Sequence, residues 1–376
     1  MSRQRLIGLL IAALVVLSGA LYLSTQRNQS REVNGAPLLP SLAGELDTVT
    51  SLSVLKGSAT PSVTVHKQGE QWTVAERANY PADVAKLRKL LLALGEAKIR
   101  EEKTSDPANY SVIGVEDPTK SGSTGAQIEV IAKDGKHDLI VGKPATQGSF
   151  VRRAGEKASY SVEPAISLEA EPRYWLDARL LDVSAEKIQS VDFKPATGPG
   201  YTLRRVSETT PVAAGDKASN TQTAAATPAP ATPPVPAPSK FVLEGVPGGR
   251  QAADAQTLAP PPNFLSSLGN EDVAAAADID FSKASICTVT LSDGSTITLS
   301  GTAVGEKRWI QVTAPKDAAL SAKTNGRAFE IASYRYDNIF RPLEQMLVPK
   351  PVPPSAKPAA PPPPTGAKKP PAAPKP

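Results

Sequence analysis

A chain of 376 residues with 37 prolines and only 5% aromatics cannot be folded throughout, because part of it lacks the apolar surface that offsets the entropy of ordering. The formal charge of +5 does not mark a nucleic-acid binder. Lys350, Lys357, Lys368, Lys369 and Lys375 lie in an acid-free final stretch, and without them basic and acidic residues are equal in number. A single cysteine excludes an internal disulfide and a thiolate metal cage, and two histidines leave little for a zinc site or a histidine-based triad.

Leu6 to Leu23 is an uncharged apolar run, LIGLLIAALVVLSGALYL, preceded by Arg3 and Arg5. Its length is near the lower end of the ~17–25 residues that cross a bilayer as a helix, so residues 6–23 are expected to be a single transmembrane helix or signal anchor. The positive flank predicts a cytoplasmic N-terminus in the cell (inner) membrane with the bulk of the chain extracytoplasmic, although Arg27 and Arg31 weaken the asymmetry. Ser18-Gly19-Ala20 resembles a cleavage site, which makes a cleaved signal peptide the alternative; continuation of the run through Leu21, Tyr22 and Leu23 favours the anchor. Residues 24–45 read as a polar linker.

The expected fold class is α+β, with two repeated β-rich modules, each of antiparallel hairpins and one helix, over residues 46–183 and 184–348. In the first, Val63 and Val65 alternate towards a hairpin partner bearing Trp72 and Val74. Pro81 and Asp83 open a helix with an apolar stripe of Val84, Leu87, Leu90, Leu91 and Leu94, closed by Gly95. Ile128, Val130 and Ala132 run into Asp134-Gly135 and return through Leu139-Ile140-Val141; Phe150-Val151 and Tyr160 to Val162 make a further hairpin. In the second, Ile188, Val191 and Phe193 lead to Tyr201 to Leu203 and its partner Phe241 to Leu243. A short helix is expected from Pro261 to Gly269, then Cys287, Val289 and Leu291 before Asp293-Gly294. Trp309, Ile310 and Val312 with Phe329 and Ile331 form the last hairpin, and a terminal turn or short helix covers Ile339 to Leu343. The apolar positions before Gly135 and Gly294 share one spacing, and Gly142 and Gly301 follow at the same distance, which indicates duplication of one module of about 150 residues.

Residues 207–239, rich in proline and alanine, are expected to be a disordered insert at the tip of a hairpin, and residues 349–376 a disordered Pro/Lys tail. No catalytic, cofactor or metal set emerges. His66 and His137 read as surface histidines and Cys287 as a small buried hydrophobe. Ser184-Ala185-Glu186-Lys187 lacks the companion motifs of a serine enzyme, and Gly142-Lys143 is followed by Pro144 where a phosphate loop needs Ser or Thr. Trp72, Trp175 and Trp309 read as core or interface anchors. The cluster Trp175-Leu176-Asp177-Ala178-Arg179-Leu180-Leu181 reads as a clamp between the modules, or less simply as a partner-binding element.

Trp72, Tyr80-Pro81-Ala82-Asp83 with its leucine-rich helix, Val141-Gly142-Lys143-Pro144, Phe150-Val151-Arg152, Tyr160-Ser161-Val162 and the Trp175 to Leu181 cluster together resemble the domain-of-unknown-function 4340 family over roughly residues 46–200. The resemblance implies one N-terminal anchor, a β-rich extracytoplasmic part and, as partners, ABC-type transport subunits; it supplies no catalytic residues. Residues set apart as interface or structural are Trp72, Tyr80, Asp83, Trp175, Asp177, Arg179 and Trp309. The expected role is a non-enzymatic, membrane-anchored accessory or scaffold protein docking onto a transport or envelope complex, with no cofactor and no nucleic acid. A cell-wall or ligand-binding envelope protein is the alternative, and a hydrolase the third reading.

Overall fold

Alternating valine and leucine positions favour pleated strands whose one face is apolar, and strands supply most of the regular secondary structure among the described residues. The computed structural model describes residues 14–19, 34–120, 122–206, 240–258 and 265–349. Residues 14–19 are helical, with Leu14, Val15, Val16 and Leu17 exposed. The remainder of the predicted span 6–23, the insert 207–239 and residues 350–376 of the tail lie outside the described residues. Among the described residues no helix is long and apolar enough to cross a membrane.

The first sheet contains β1 (Ser51–Leu55), β2 (Val63–Gln68), β3 (Gln71–Val74), β4 (Tyr80–Pro81), β5 (Lys98–Thr104), β6 (Ala126–Ala132), β7 (Gly135–Pro144), β8 (Ser149–Arg153) and β9 (Ser159–Glu163). Their order in space is β4-β3-β2-β1-β6-β7-β8-β9-β5. A two-stranded link joins β10 (Arg179–Leu181) to β15 (Leu268–Gly269). The second sheet contains β11 (Ile188–Lys194), β12 (Tyr201–Val206), β13 (Lys240–Glu244), β16 (Asp272–Ala275), β17 (Ser285–Leu291), β18 (Thr296–Val304), β19 (Lys307–Thr313) and β20 (Arg327–Ile331). Its order is β13-β12-β11-β17-β18-β19-β20-β16, and every described neighbour pair in both sheets is antiparallel. The small pair β14 (Arg250–Ala252) and β21 (Leu347–Pro349) completes the strands.

Apart from β4 the two orders are the same, strand for strand, and register extends the match to single residues. Val74, Val65, Leu52 and Val130 lie opposite one another across four strands of the first sheet. Leu243, Leu203, Val191 and Val289 form the matching row of the second, and all eight are buried. The next rows match Ile128 with Cys287 and Leu139 with Leu299. Past the turn the predicted equivalence slips by one place. Ala126 and Val151 flank Val141, whereas Ser285 and Ile310 flank Gly301, so Gly301 matches Val141 and not Gly142. The cause is turn length: Ala132 pairs directly with Gly135, while Leu291 closes on Ser295 around a longer loop.

Helix α1 (Val84–Glu96) packs Leu87, Leu90, Leu91 and Leu94 into the core. Asp83 caps it, accepting from the amides of Ala85 and Lys86 at 3.0 and 3.2 Å. Gly95 does not end the helix; it lies inside it, and a side chain there would meet Leu46, so its smallness serves packing. The expected second helix is also displaced. The helical turn is Ala255–Leu258, residues 259–264 lie outside the described residues, and Leu268–Gly269 is strand β15, held so close to the carbonyl of Ala178 that a Cβ on Gly269 would sit 2.9 Å from it.

Two further departures concern the start of the first sheet. Strand β1 is not among the strands expected from the sequence, yet it is the counterpart of the predicted 188–193 strand. Of the residues read as a polar linker, those from 34 onward are folded: Leu38 and Leu42 are fully buried, and Leu38 donates its amide to Ala97 at 2.7 Å. Buried residues of both sheets form one continuous apolar cluster, and a second small cluster of Tyr110, Val115 and Ile140 lies apart from it.

Candidate functional site: the junction of the two sheets

The rim of the first sheet at β4 meets the rim of the second at β16 and β20. The connection from β3 to β4 turns sharply, with Ala78 and Asn79 at φ 53° and 50°, a region that costs a residue with a Cβ about 1–2 kcal/mol. Their carbonyls are thereby aimed at the second sheet. Arg327 Nε donates to Ala78 O at 3.0 Å and Arg327 Nη2 to Asn79 O at 3.1 Å. The same guanidinium donates through Nη1 to Lys323 O at 2.9 Å, closing the end of helix α2 (Ala318–Thr324).

Around this point the charges alternate between the sheets. Arg77 Nε lies 2.5 Å from Asp272 Oδ1, and its Nη2 lies 3.6 Å from Glu171. Lys323 Nζ lies 2.8 Å from Asp177 Oδ2 and also donates to the carbonyl of Arg179. At the centre Tyr80 is fully buried with its ring edge-on to Phe329, centroids 5.5 Å apart. Its hydroxyl accepts from Asn270 Nδ2 at 3.2 Å, and the same amide donates to Asp177 O at 3.0 Å. Burial pushes the Tyr80 phenol well above its usual value, the charge of Asp177 adds to this, and Arg327 and the Asn270 hydrogen bond oppose it. The phenol therefore stays protonated. Every donor named here is engaged with a carbonyl, carboxylate or hydroxyl of the chain itself, so the arrangement fixes two sheets against each other and presents no nucleophile paired with a base.

Of the residues set apart in the sequence, Tyr80 and Asp177 stand in the junction, and Asp83 and Trp175 support it from one side. Asp83 N donates to Trp175 O at 2.7 Å, Asp177 N donates to Pro81 O at 2.9 Å, and the buried Trp175 donates Nε1 to Glu169 O at 2.9 Å. Arg179 contributes its carbonyl; its side chain is exposed and β10 pairs it with Gly269. Trp72 is half-buried in β3 opposite Lys67. Trp309 is buried in β19 between Thr302 and Glu330, with Lys307 Nζ 5.6 Å from its ring, and the structure does not bring it together with Tyr80 and Trp175. Arg77, Asn270, Asp272, Lys323 and Arg327 were missed by sequence reasoning, and Phe329 was read as a strand residue without its place in the junction. Their partners are up to 249 positions away, so no local pattern marks them.

Beside the junction, a groove of about 560 Å³ runs between Leu181 to Lys187, the β17–β18 turn and helix α2. Two of its carboxylates are engaged by serines of the chain, one far away in sequence and one in its own turn. Asp182 accepts from the Ser267 amide and Ser266 hydroxyl, and Asp293 from the amide and hydroxyl of Ser295; these bonds hold both below the usual carboxylate range. Cys287 is fully buried and burial pushes its thiol up to about 12, which leaves it without thiolate character at neutral pH. Among the described residues no group of three or more His, Cys, Asp or Glu is placed to hold a metal ion.

The family model for a domain of unknown function, DUF4340, matches residues 72–232. The match opens in β3, passes through the Tyr80 and Trp175 segments of the junction, and continues beyond β12 into the insert. No curated protein and no solved structure matches the chain.

Proposed function

Because residues 72–232 place this chain in the DUF4340 family, we propose that it is a membrane-anchored, extracytoplasmic accessory or scaffold protein that docks onto an ABC-type transport or envelope complex. The observation that carries this reading is the junction itself. A protein acting by contact needs surfaces held in fixed relation, and Arg77–Asp272, Lys323–Asp177 and the Arg327 clamp commit the junction's polar side chains to that task. The uncharged run Leu6 to Leu23 behind Arg3 and Arg5 supplies the anchor and sets the N-terminus in the cytoplasm. Crosslinking in intact membranes followed by affinity purification of the full chain in mild detergent tests the reading. Recovery of ABC-type permease subunits is the expected result, and recovery of the chain alone at native expression overturns it.

The groove between the 181–187 segment and α2 favours one second reading, an envelope ligand-binding protein, since pockets of ~300–1,000 Å³ are of ligand size. Protection of Lys187 and Lys316 from amine labelling by cell-wall fragments, and not by transport subunits, would select it.

A further inference from the structure

Helix α1 follows β4 at the junction and leads into β5, the opposite rim of the first sheet. At about 100° per residue, Leu87, Leu90, Leu91 and Leu94 share its buried stripe and Leu92 points the other way. Leu92 is 44% exposed, and Ala85, two turns earlier, lies on the same outer face. Arg88 and Lys89, one turn before Leu92, flank it. Both are exposed, and among the described residues neither side chain has a hydrogen bond or ion pair. Lys86, by contrast, is committed. Its Nζ donates to Tyr174 O at 2.6 Å and lies 4.5 Å from that ring, which brings the exposed Arg173 and Tyr174 alongside the start of the helix. The helix carries two acids at its ends: Asp83, bonded to the first amides, and Glu96 in the last turn.

Where this face lies relative to a bilayer follows from the chain before it. The connection from Leu23, the end of the apolar run, to Asn34 can span at most about 40 Å. Past Asn34 the chain docks beside the end of α1. Gly35 N donates to Ile99 O at 2.7 Å, Ile99 N to Ala36 O at 2.8 Å, and Leu38 N to Ala97 O at 2.7 Å. The helix has 13 residues and is about 20 Å long, so the tether holds its whole outer face within reach of the headgroups. The far rim of the second sheet, β13, is separated from this point by both sheets.

From this we infer that the outer face of α1, with Leu92 between Arg88 and Lys89, rests on the anionic headgroup surface of the bilayer that anchors the chain. The placement rests on the anchored reading above and adds which side of the protein faces the lipid. Charge and size decide for lipid over a protein partner. A lone leucine between two unpaired cations lacks the apolar centre of a stable protein interface, which buries on the order of 1,000 Å² or more. Against an anionic surface each cation favours contact about fivefold, and Leu92 enters the headgroup layer. Attraction this weak would not hold a free protein, but it suffices for a face that the tether already keeps nearby.

The experiment uses the full chain reconstituted into phosphatidylcholine vesicles with or without phosphatidylglycerol. A fluorophore on Leu92→Cys should be quenched by headgroup spin-labelled lipid several-fold more than one on Val304→Cys, an exposed site on the second sheet. The difference should require phosphatidylglycerol and disappear at high salt. Native Cys287 is fully buried and does not compete for label. Arg88→Gln and Lys89→Gln in the Leu92→Cys background should each lower the docked-to-undocked ratio about fivefold, whereas Lys89→Arg should preserve it. Equal quenching at the two sites, or quenching indifferent to phosphatidylglycerol, overturns the placement. Amine labelling of the unsubstituted chain gives the check that does not depend on a variant folding. Lys89 should be protected in the phosphatidylglycerol vesicles, and Lys194, exposed on β11, should not. Protection of Lys89 that is the same in both vesicles marks cover by another protein or by the chain itself and refutes the placement. The two readings fail separately. A chain that floats with neither vesicle loses the anchor and this placement with it, while a chain that floats with Leu92 and Lys89 open to solvent loses the placement alone.

Discussion

The two sheets share a strand order but not the way their surroundings are closed. On the first, β4 covers one rim, residues 35–38 pair with the start of β5, and the connection from β5 to β6 lays Tyr110 and Val115 against Ile140 and Phe150. On the second, no strand among the described residues stands beside β13 as β4 does beside β3, and the connection from β16 to β17 is short. Matched positions have diverged accordingly. Val141 is an ordinary core residue, whereas its partner Gly301 lies under Phe340, where a Cβ would come within 2.3 Å of the ring. Ile128 matches the buried thiol of Cys287, and Tyr160 in β9, between β8 and β5, matches Phe329 at the junction. A repeated strand order thus constrains the core rows and leaves rims and connections open to separate uses.

Exchanges at matched positions sharpen that contrast, and the largest effect is expected at the junction. Phe329→Ala removes a fully buried ring from Tyr80 and should cost about 3–5 kcal/mol in urea unfolding. Gly301→Val, which installs the side chain of the first sheet, should cost about 1–3 kcal/mol, because the Phe340 ring cannot yield without disturbing Tyr336 and Phe193. Breaking the charged rim comes next. A double-mutant cycle over Arg77→Ala and Asp272→Ala should return a coupling of about 0.5–3 kcal/mol by chemical denaturation, and a coupling near zero would remove this ion pair from the junction.

Cys287 separates the sheets by pH. Its folded value is raised, so the native state keeps a proton that the unfolded chain releases. The resulting stability is fully present below about pH 9 and is lost as pH rises towards about 12. Buried Tyr80 and Tyr201 act in the same direction at still higher pH. Cys287→Val, bringing in an aliphatic side chain like that of the matched Ile128, should therefore flatten the fall in unfolding free energy above pH 9, measured by urea titration at successive pH values. The smallest effect is expected at Ala78. Glycine relieves the positive φ but frees the unfolded chain, so Ala78→Gly should change stability by less than about 1 kcal/mol, whereas Ala78→Val should destabilise.

Much of the strand pattern was legible because half-buried strands carry a two-residue period: Val63 with Val65, Ile128 with Val130, and Cys287 with Val289 all fall on buried rows. Asp83 announced the start of α1 because a carboxylate before a helix satisfies free amides. Its end was misplaced because the glycine rule weighs backbone freedom, while Gly95 is small to admit Leu46. The Leu268–Gly269 segment was read as helix from its leucines, and the strand partner that decided otherwise, β10, lies far back in the chain. The junction was only half legible. Tyr80 and Asp177 sit in a recognisable local cluster, but an arginine such as Arg327 looks like any surface charge until the fold brings the carbonyls of Ala78 and Asn79 to it.

The order in which the chain is made gives the junction a further meaning. Tyr80 and the two inward-turned carbonyls are synthesised long before Phe329 and Arg327, the groups that cover them. A nascent or truncated product ending short of position 327 displays an unclosed aromatic rim, the kind of surface that chaperones and proteases read as unfinished. Completion of the polypeptide is thus reported at a point near its beginning, which links survival of the first half to arrival of the second.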